Sequence, residues 1–553
     1  MTEYSTKKQF LFLAAIWLLV NILQAAFTEL SNDEAYYWMY AQHLDIGYFD
    51  HPPMIAWMIH LGYSIFPNEL GVRLFTVLMS VGSMYFLWDM LGRKKPHLLF
   101  GVFASLLVFQ VYSFIAVPDA PLYFFSIVFL WLYKKYLQDF KSKQAIFLGV
   151  LAALIMYSKY HGILLLFFVL LSNLKLLRQP TFYLVILMGL ALYMPHLYWQ
   201  YDNDFPSYTF HFLSKSHAAY NPMHSLEFLG GQLLMFGPFL FYWLFTAPKS
   251  MVKNDFNRGL LFGGVGIVFF FFLSTLNTHG ELNWTGLAVI CLFILGFEKW
   301  ANLEGKWLNR TISFSLLFFI GIRIFILLPL DDKEYLRGSE FHGWVKWADT
   351  ISEIAQGKPV VFMNSYQKAS KYAFYSQTLS HSMNNSRYRK NQYDLWPIEE
   401  DLRGKEVLII GNYDNPGFEV IQTQQGKVRH RIDSNYQGYS KIQFDFLDKE
   451  PKFIAGQTKT HELIAHNNYS KDVFFNAEET EVKFNYEIFL EGELYESHTI
   501  KTLYNEVLST ENEIWEVDLK MPDEPGKYYL KFVLQSDWYP PFINSGFIRL
   551  EVE

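Results

Sequence analysis

The stretch LSNDEAYYWMYAQHLDIGYFDHPPMIAWM, residues 30–58, decides how this chain is read. It follows the apolar run 10–27 and carries Asp33, Glu34, Asp45 and Asp50, two histidines, and the rings of Tyr36, Tyr37, Trp38, Tyr40, Tyr48, Phe49 and Trp57, yet no Lys or Arg. Short cytoplasmic loops of membrane proteins are the ones enriched in Lys and Arg, so a cation-free loop after a hydrophobic run belongs on the outer side. Trp and Tyr at this density suit helices lying in the membrane interface. The acids need a separate explanation.

The rest of the chain supports that setting. Of 553 residues 51% are hydrophobic and 19% aromatic, but the apolar residues crowd in ahead of Leu330, and the remainder has the composition of soluble protein. The chain is therefore read as a membrane module, 1–332, followed by soluble modules. A crossing helix needs about 20 apolar residues for about 30 Å of hydrocarbon, which gives about eleven candidates. They start near Phe10, Leu70, Leu98, Pro121, Ala145, Gly162, Thr181, Phe228, Leu260, Trp284 and Ile312. Residues 10–27 exceed a signal-peptide core and are read as a retained helix. The net charge of −7 and the absence of long Lys/Arg runs exclude a nucleic-acid surface. The single cysteine, Cys291, excludes an intramolecular disulfide framework and a Cys-based zinc site.

Placing the N-terminus inside puts Lys7, Lys8, Arg93, Lys94, Lys95, Lys134, Lys135, Lys141 and Lys143 in inner loops, with further cations up to Arg310, and leaves Lys159 and Lys215 outside. An odd helix count then places the C-terminal half outside the cytoplasm. On the outer side lie Asp33, Glu34, Asp50, His51, Asp119, Lys159, His161, His279 and Glu281, at the ends of several helices. Each motif has a plain structural reading. "SNDEAYYW" is a helix start with Ser31 or Asn32 as cap and acids in the first turn, and Asp119 between Pro118 and Pro121 is another. Arg73 and Arg323, inside apolar segments, are read as snorkelling cations. What points beyond this is convergence: two acidic turns, a "HPP" turn and a "THGELNW" turn on one membrane face. A site at the lipid boundary suits a lipid-linked substrate.

"NDEAYYW", "GYFDHPPMIAW" and "VPDAPLYFF", in that order and spacing, resemble the opening motifs of the GT-C membrane glycosyltransferases of the protein-mannosyltransferase and aminoarabinose-transferase superfamily. The resemblance covers roughly residues 5–300. It implies a polytopic α-helical membrane fold and transfer of a sugar from a polyprenyl-phosphate-linked donor to a lipid, glycan or protein acceptor on the outer face of the cytoplasmic membrane. By the same resemblance Asp33 matches the proposed catalytic acid and Asp119 the second loop acid, with Glu34 supporting. Where the aminoarabinose-transferase branch has Glu-Lys before the two prolines, this chain has Asp50-His51. His51, Lys159 and Arg73 are the expected contacts to the donor phosphate, and Tyr37, Tyr160, His161 and Trp284 are expected to line the substrate. A divalent metal, if used, is expected on Asp50, His279 and Glu281. The alternative class is a multi-spanning transporter or flippase of a lipid-linked saccharide, although transporters gather ionisable groups near the midplane.

The outer half divides again. Residues 335–447 alternate short apolar runs such as "PVVFMN" and "EVLIIGN" with amphipathic stretches, the pattern of a small α/β unit, and "NSYQKASKYAFY" resembles the soluble extension of some bacterial members of the superfamily. Residues 450–553 alternate with period two between turns, as a β-sandwich does. No catalytic cluster is visible there, so acceptor recognition or shielding is the expected role.

Overall fold

Six helices of the computed structural model, among its described residues, are long and apolar enough to cross a membrane: Tyr4–Phe27, Glu69–Met90, Phe182–Asp202, Asp255–Ser274, Leu282–Asn302 and Lys306–Leu327. Met54–Ile65, Ser142–Ser158 and Gly162–Ser172 are shorter apolar helices, and Asp119–Asp139 adds a long one with a charged C-terminal end. The structure describes residues 3–214, 221–237, 239–246, 252, 254–276, 279–302, 305–328, 338–386, 388–411, 417–448, 453–476, 480–490, 492–536 and 538–553. Lys215 and the expected module boundary near 332 lie outside these residues.

Among the described residues, not every one of the about eleven expected segments is a single long helix. The segment starting near Leu98 is two short helices, Pro96–Phe103 and Leu107–Val111. The one near Phe228 ends at Met235, just before Gly237 turns at φ +84°, and a separate helix, Phe241–Thr246, follows. That φ is one glycine adopts without the steric cost a Cβ brings. An apolar run longer than a turn of helix does not reveal such breaks, because its hydropathy is unchanged across them.

The opening loop also departs from expectation. Helix Asn32–Gln42 is not an interfacial helix with one wet face: every residue from Glu34 to Ala41 is buried. Tyr40 stacks on Tyr48 with ring centroids 4.1 Å apart, and its aromatic residues serve as internal packing. Helix Gly286–Asn302 forms the centre of the bundle, buried from Gly286 through Phe297. Its first residue faces the Tyr123 hydroxyl so closely that a Cβ there would collide with it.

The chain forms two compact units, Met1–His342 and Gly343–Glu553. In the second, strands Val360–Met363, Ser380–Met383 and Val407–Gly411 run parallel, and Gly426–Asp433 and Glu419–Thr423 extend the same sheet antiparallel. Helices Trp344–Ala355 and Tyr366–Ser376 belong with it. The strands beyond form antiparallel sheets of four, three and two strands. Phe444 of the three-stranded sheet stacks on Phe484 of the four-stranded one at 4.2 Å, which places the apolar filling between them. Strand Ile442–Phe446, inside the region expected to be α/β, pairs instead with Thr458–Asn467 of the β-rich region.

Candidate active site

The site is built outward from the helix start after the first span. Ser31 accepts the Glu34 amide at 3.2 Å, and Glu34 accepts the Ser31 amide at 2.9 Å, a reciprocal cap that fixes the first turn. Glu34 is wholly buried and takes three further donors: Arg73 Nε at 2.6 Å, Arg73 Nη2 at 2.7 Å and the Ala116 amide at 2.8 Å. Burial pushes its pKa up, but the guanidinium and the two amides outweigh it and hold the carboxyl below its usual range. A carboxylate held by four donors with no exposed surface has no access to an acceptor hydroxyl. Glu34 therefore holds the loop in place, and the helix-start reading is correct for it.

Arg73 is a correction. Expected as a phosphate contact or a snorkelling cation, it is fully buried, with Nη1 on the carbonyls of Ala25 and Thr28 and Nη2 also on Glu29. With the two bonds to Glu34, these account for the five N–H donors a guanidinium possesses. Arg323 does not snorkel either; it is buried among Asn21, Gln110 and Ser113.

Asp33, beside Glu34, is exposed. The Ala116 amide, three residues before Asp119, is bonded to the neighbouring Glu34, so the turn leading to Asp119 adjoins the helix start that carries Asp33. Asp119 begins helix Asp119–Asp139 and is buried. Lys159, the C-terminal cap of Ser142–Ser158, reaches both its oxygens at 3.0 and 2.8 Å. Tyr123 donates to Oδ1 at 3.2 Å and Asn283 to Oδ2 at 3.1 Å. Lys159, expected on phosphate, is thus paired with a carboxylate.

The "DHPP" turn stands next to this pair. Tyr40 donates its hydroxyl to Asp50, and His211 Nε2 lies 3.1 Å from the Asp50 carbonyl oxygen. The His51 ring meets the buried Tyr37 edge-on at 5.5 Å. Burial holds its imidazole down at about 4; Lys159 and His211 act the same way, and Asp50 and Asp119 oppose them. His51 is therefore a neutral hydrogen-bonding group at neutral pH, and its electrostatic neighbours are those of the Lys159–Asp119 pair.

Of the expected substrate residues, His161 and Trp284 pack ring to ring at 5.1 Å, each also against Phe271. Trp284 adjoins Asn283, the donor to Asp119. Tyr160 is engaged elsewhere: its hydroxyl donates to Ser207 at 2.9 Å, lies 3.0 Å from His196 Nε2 and accepts Gln200 at 3.0 Å. Those residues also hold the opening loop, His196 through Ile46 and Ser207 through Tyr48. The proposed metal set is a second correction. Asp50 is bonded to Tyr40, exposed His279 faces Glu227 at 3.3 Å, and no three such groups converge among the described residues. The residues present do not fit a metal there.

Asn283, Tyr123, Tyr112 and Tyr40 are the site residues that sequence reading passed over. Asn283 lies inside the "THGELNW" turn, so the turn was the available signal. A neutral amide carries no charge to mark it among the other polar residues of the turn.

The model of the family described as dolichyl-phosphate-mannose-protein mannosyltransferase matches residues 50–199, a span containing Asp50, His51, Asp119 and Lys159. A lipid A galacturonosyltransferase, RgtD of Rhizobium johnstonii, is 26% identical over 355 residues, 59% of this chain and 74% of the relative. The crystal structure of ArnT from Cupriavidus metallidurans in the apo state superposes with a TM-score of 0.58 at 15% identity, covering 77% of this chain and 98% of that one. The same protein bound to undecaprenyl phosphate gives 0.56 at 14%, covering 76% and 97%. Motif order and bundle agree with these findings: the chain is similar in sequence to protein-mannosyltransferase-type membrane glycosyltransferases over residues 50–199, and it has the fold of ArnT.

Proposed function

We propose that this protein transfers a sugar from a polyprenyl-phosphate-linked donor to an acceptor on the outer face of the cytoplasmic membrane. The observation that carries the reading is the bond from the Ala116 amide to Glu34, which joins the helix start carrying the exposed acid Asp33 to the turn that leads into the buried Asp119–Lys159 pair. In the proposed reaction Asp33 accepts the proton of the acceptor hydroxyl as its oxygen attacks the anomeric carbon. The bond from that carbon to the phosphate oxygen breaks, and polyprenyl phosphate leaves with the electron pair, so no general acid is needed. Lys159 gives two of its three N–H groups to Asp119, so a phosphate oxygen beside it can take the third. His51 offers a hydrogen bond to the same phosphate. Asp119, fixed by Tyr123 and Asn283, keeps the ammonium oriented.

The undecaprenyl phosphate bound to ArnT supports the donor class. Among lipid, glycan and protein acceptors, the name of the Rhizobium relative supports a lipid. In this reading the second unit, Gly343–Glu553, lies on the outer side and serves acceptor recognition or shielding. The test is to purify the full chain, identify the co-purifying lipid by mass spectrometry, and incubate the protein with that sugar-carrying lipid and a lipid acceptor. Release of free polyprenyl phosphate together with a sugar-modified acceptor is expected. Movement of intact sugar-lipid across a liposome without cleavage would replace transferase by flippase.

A further inference from the structure

The proposed chemistry leaves unused a buried cation on the last helix of the first unit. Arg323 lies one turn before the end of Lys306–Leu327 and is 8% exposed. Its Nε donates to the Gln110 side chain at 2.6 Å, and Nη2 reaches the Gln110 carbonyl at 2.9 Å, Ser113 Oγ at 3.0 Å and Asn21 Oδ1 at 3.0 Å. None of these acceptors is charged. The guanidinium carbon lies 4.9 Å from the Phe114 ring centroid and 5.4 Å from that of Trp17. A cation buried among neutral groups is costly, and it persists where its fork of donors fixes several acceptors at once.

What it fixes is the stretch that leads to Asp119. Gln110 is on helix Leu107–Val111, and Ser113 and Phe114 lie in the turn between it and Asp119–Asp139. The other end of that turn is held by Glu34, which takes the Ala116 amide and is itself held by Arg73. The Arg73 guanidinium carbon lies 6.0 Å from the Phe114 ring, so two guanidinium groups contact the same ring. Ser113 also donates to Asn21 at 2.7 Å, tying the turn to the first helix.

We propose that Arg323 is a positioning residue for the transfer reaction: through Gln110, Ser113 and Phe114 it sets the turn that presents Asp119 and its partner Lys159. This rests on the transferase reading above. Lysine would supply a point charge in place of the planar fork, and methionine no donor at all.

The experiment compares wild type, Arg323→Lys, Arg323→Met and the milder Ser113→Ala as purified full chains. Two readouts are taken: amide hydrogen exchange over residues 104–119, and steady-state transfer. Exchange in 104–119 is expected to speed by at least about tenfold in Arg323→Met and less in Ser113→Ala, while helix Gly286–Asn302 keeps its protection. Turnover is expected to fall about 10- to 100-fold in Arg323→Met, with Arg323→Lys between, and KM for the sugar-lipid within about twofold of wild type. Unchanged exchange in 104–119 overturns the proposal whatever the activity. So does turnover that falls only in proportion to the folded fraction, or a loss carried wholly by KM. If the wild type transfers no sugar, the transferase reading fails, and Arg323's hold on the turn is still decided by exchange in Ser113→Ala and Arg323→Met.

Discussion

Arg73 and Glu34, 39 positions apart, meet through two parallel N–H···O bonds of 2.6 and 2.7 Å with neither side chain exposed. Removing one partner strands the other as a buried charge, at a typical cost of about 3–5 kcal/mol. Arg73→Met should therefore lower stability by about that amount, read as loss of folded protein on heating in detergent. The double variant Arg73→Met, Glu34→Gln should recover part of it, because the stranded carboxylate is gone. If the single and double variants melt alike, the pair is not what holds the loop.

Asp33 lies next to Glu34 in sequence but is exposed where Glu34 is buried, and the two should respond differently to the same change. Asp33→Asn keeps size and polarity while removing the proposed base, so transfer should fall about 10²- to 10⁴-fold. Folding and binding of undecaprenyl phosphate should be retained. Wild-type turnover in Asp33→Asn would take the base role from this residue.

His51 gives a pH signature. Its imidazole, held down at about 4, is neutral before the donor arrives, and an incoming phosphate favours the charged form. Between the free and donor-bound pKa values binding takes up a proton, so affinity for the sugar-phospholipid should strengthen as pH falls from about 7 toward 5. The folding linkage runs the other way. The unfolded imidazole binds its proton near the ordinary value of 6.5, so the contribution of the neutral ring is full above that pH and is lost as pH falls toward 4. His51→Gln should abolish the pH dependence of donor affinity and flatten the acid limb of the melting curve in that window. A donor affinity in His51→Gln with the wild-type pH slope would remove His51 from the phosphate.

Topology can be read with a reporter. The absence of Lys and Arg from the loop at 30–58 and the turn at 114–120 predicts that both face outward and, with an odd number of spans, that the C-terminus does too. Alkaline phosphatase fused after Glu553 should be active in intact cells, and activity only from a cytoplasmic reporter would invert the arrangement.

The acids of the site were legible because their turns carry few other polar groups: "NDEAYYW" and "VPDAPLYFF" isolate Asp33 and Asp119 within apolar sequence. Their partners were not. That Arg73 belongs to Glu34 and Lys159 to Asp119 depends on which helices are neighbours, and periodicity within one helix says nothing of its neighbours. The same limit explains the aromatic loop, where composition alone does not separate rings facing lipid from rings facing each other, such as Tyr40 and Tyr48. The break at Ser105 in "GVFASLLVFQV" leaves no mark in hydropathy, because both sides of it are equally apolar.

The bond from the Ala116 amide to Glu34 links the two acids by a short path: one peptide link from Asp33 to Glu34, one hydrogen bond, and three residues from Ala116 to Asp119. Along that path the spacing of the two acids is set by the fold as a gauge is set by its frame. The helix start carrying one cannot slide without dragging the turn that carries the other.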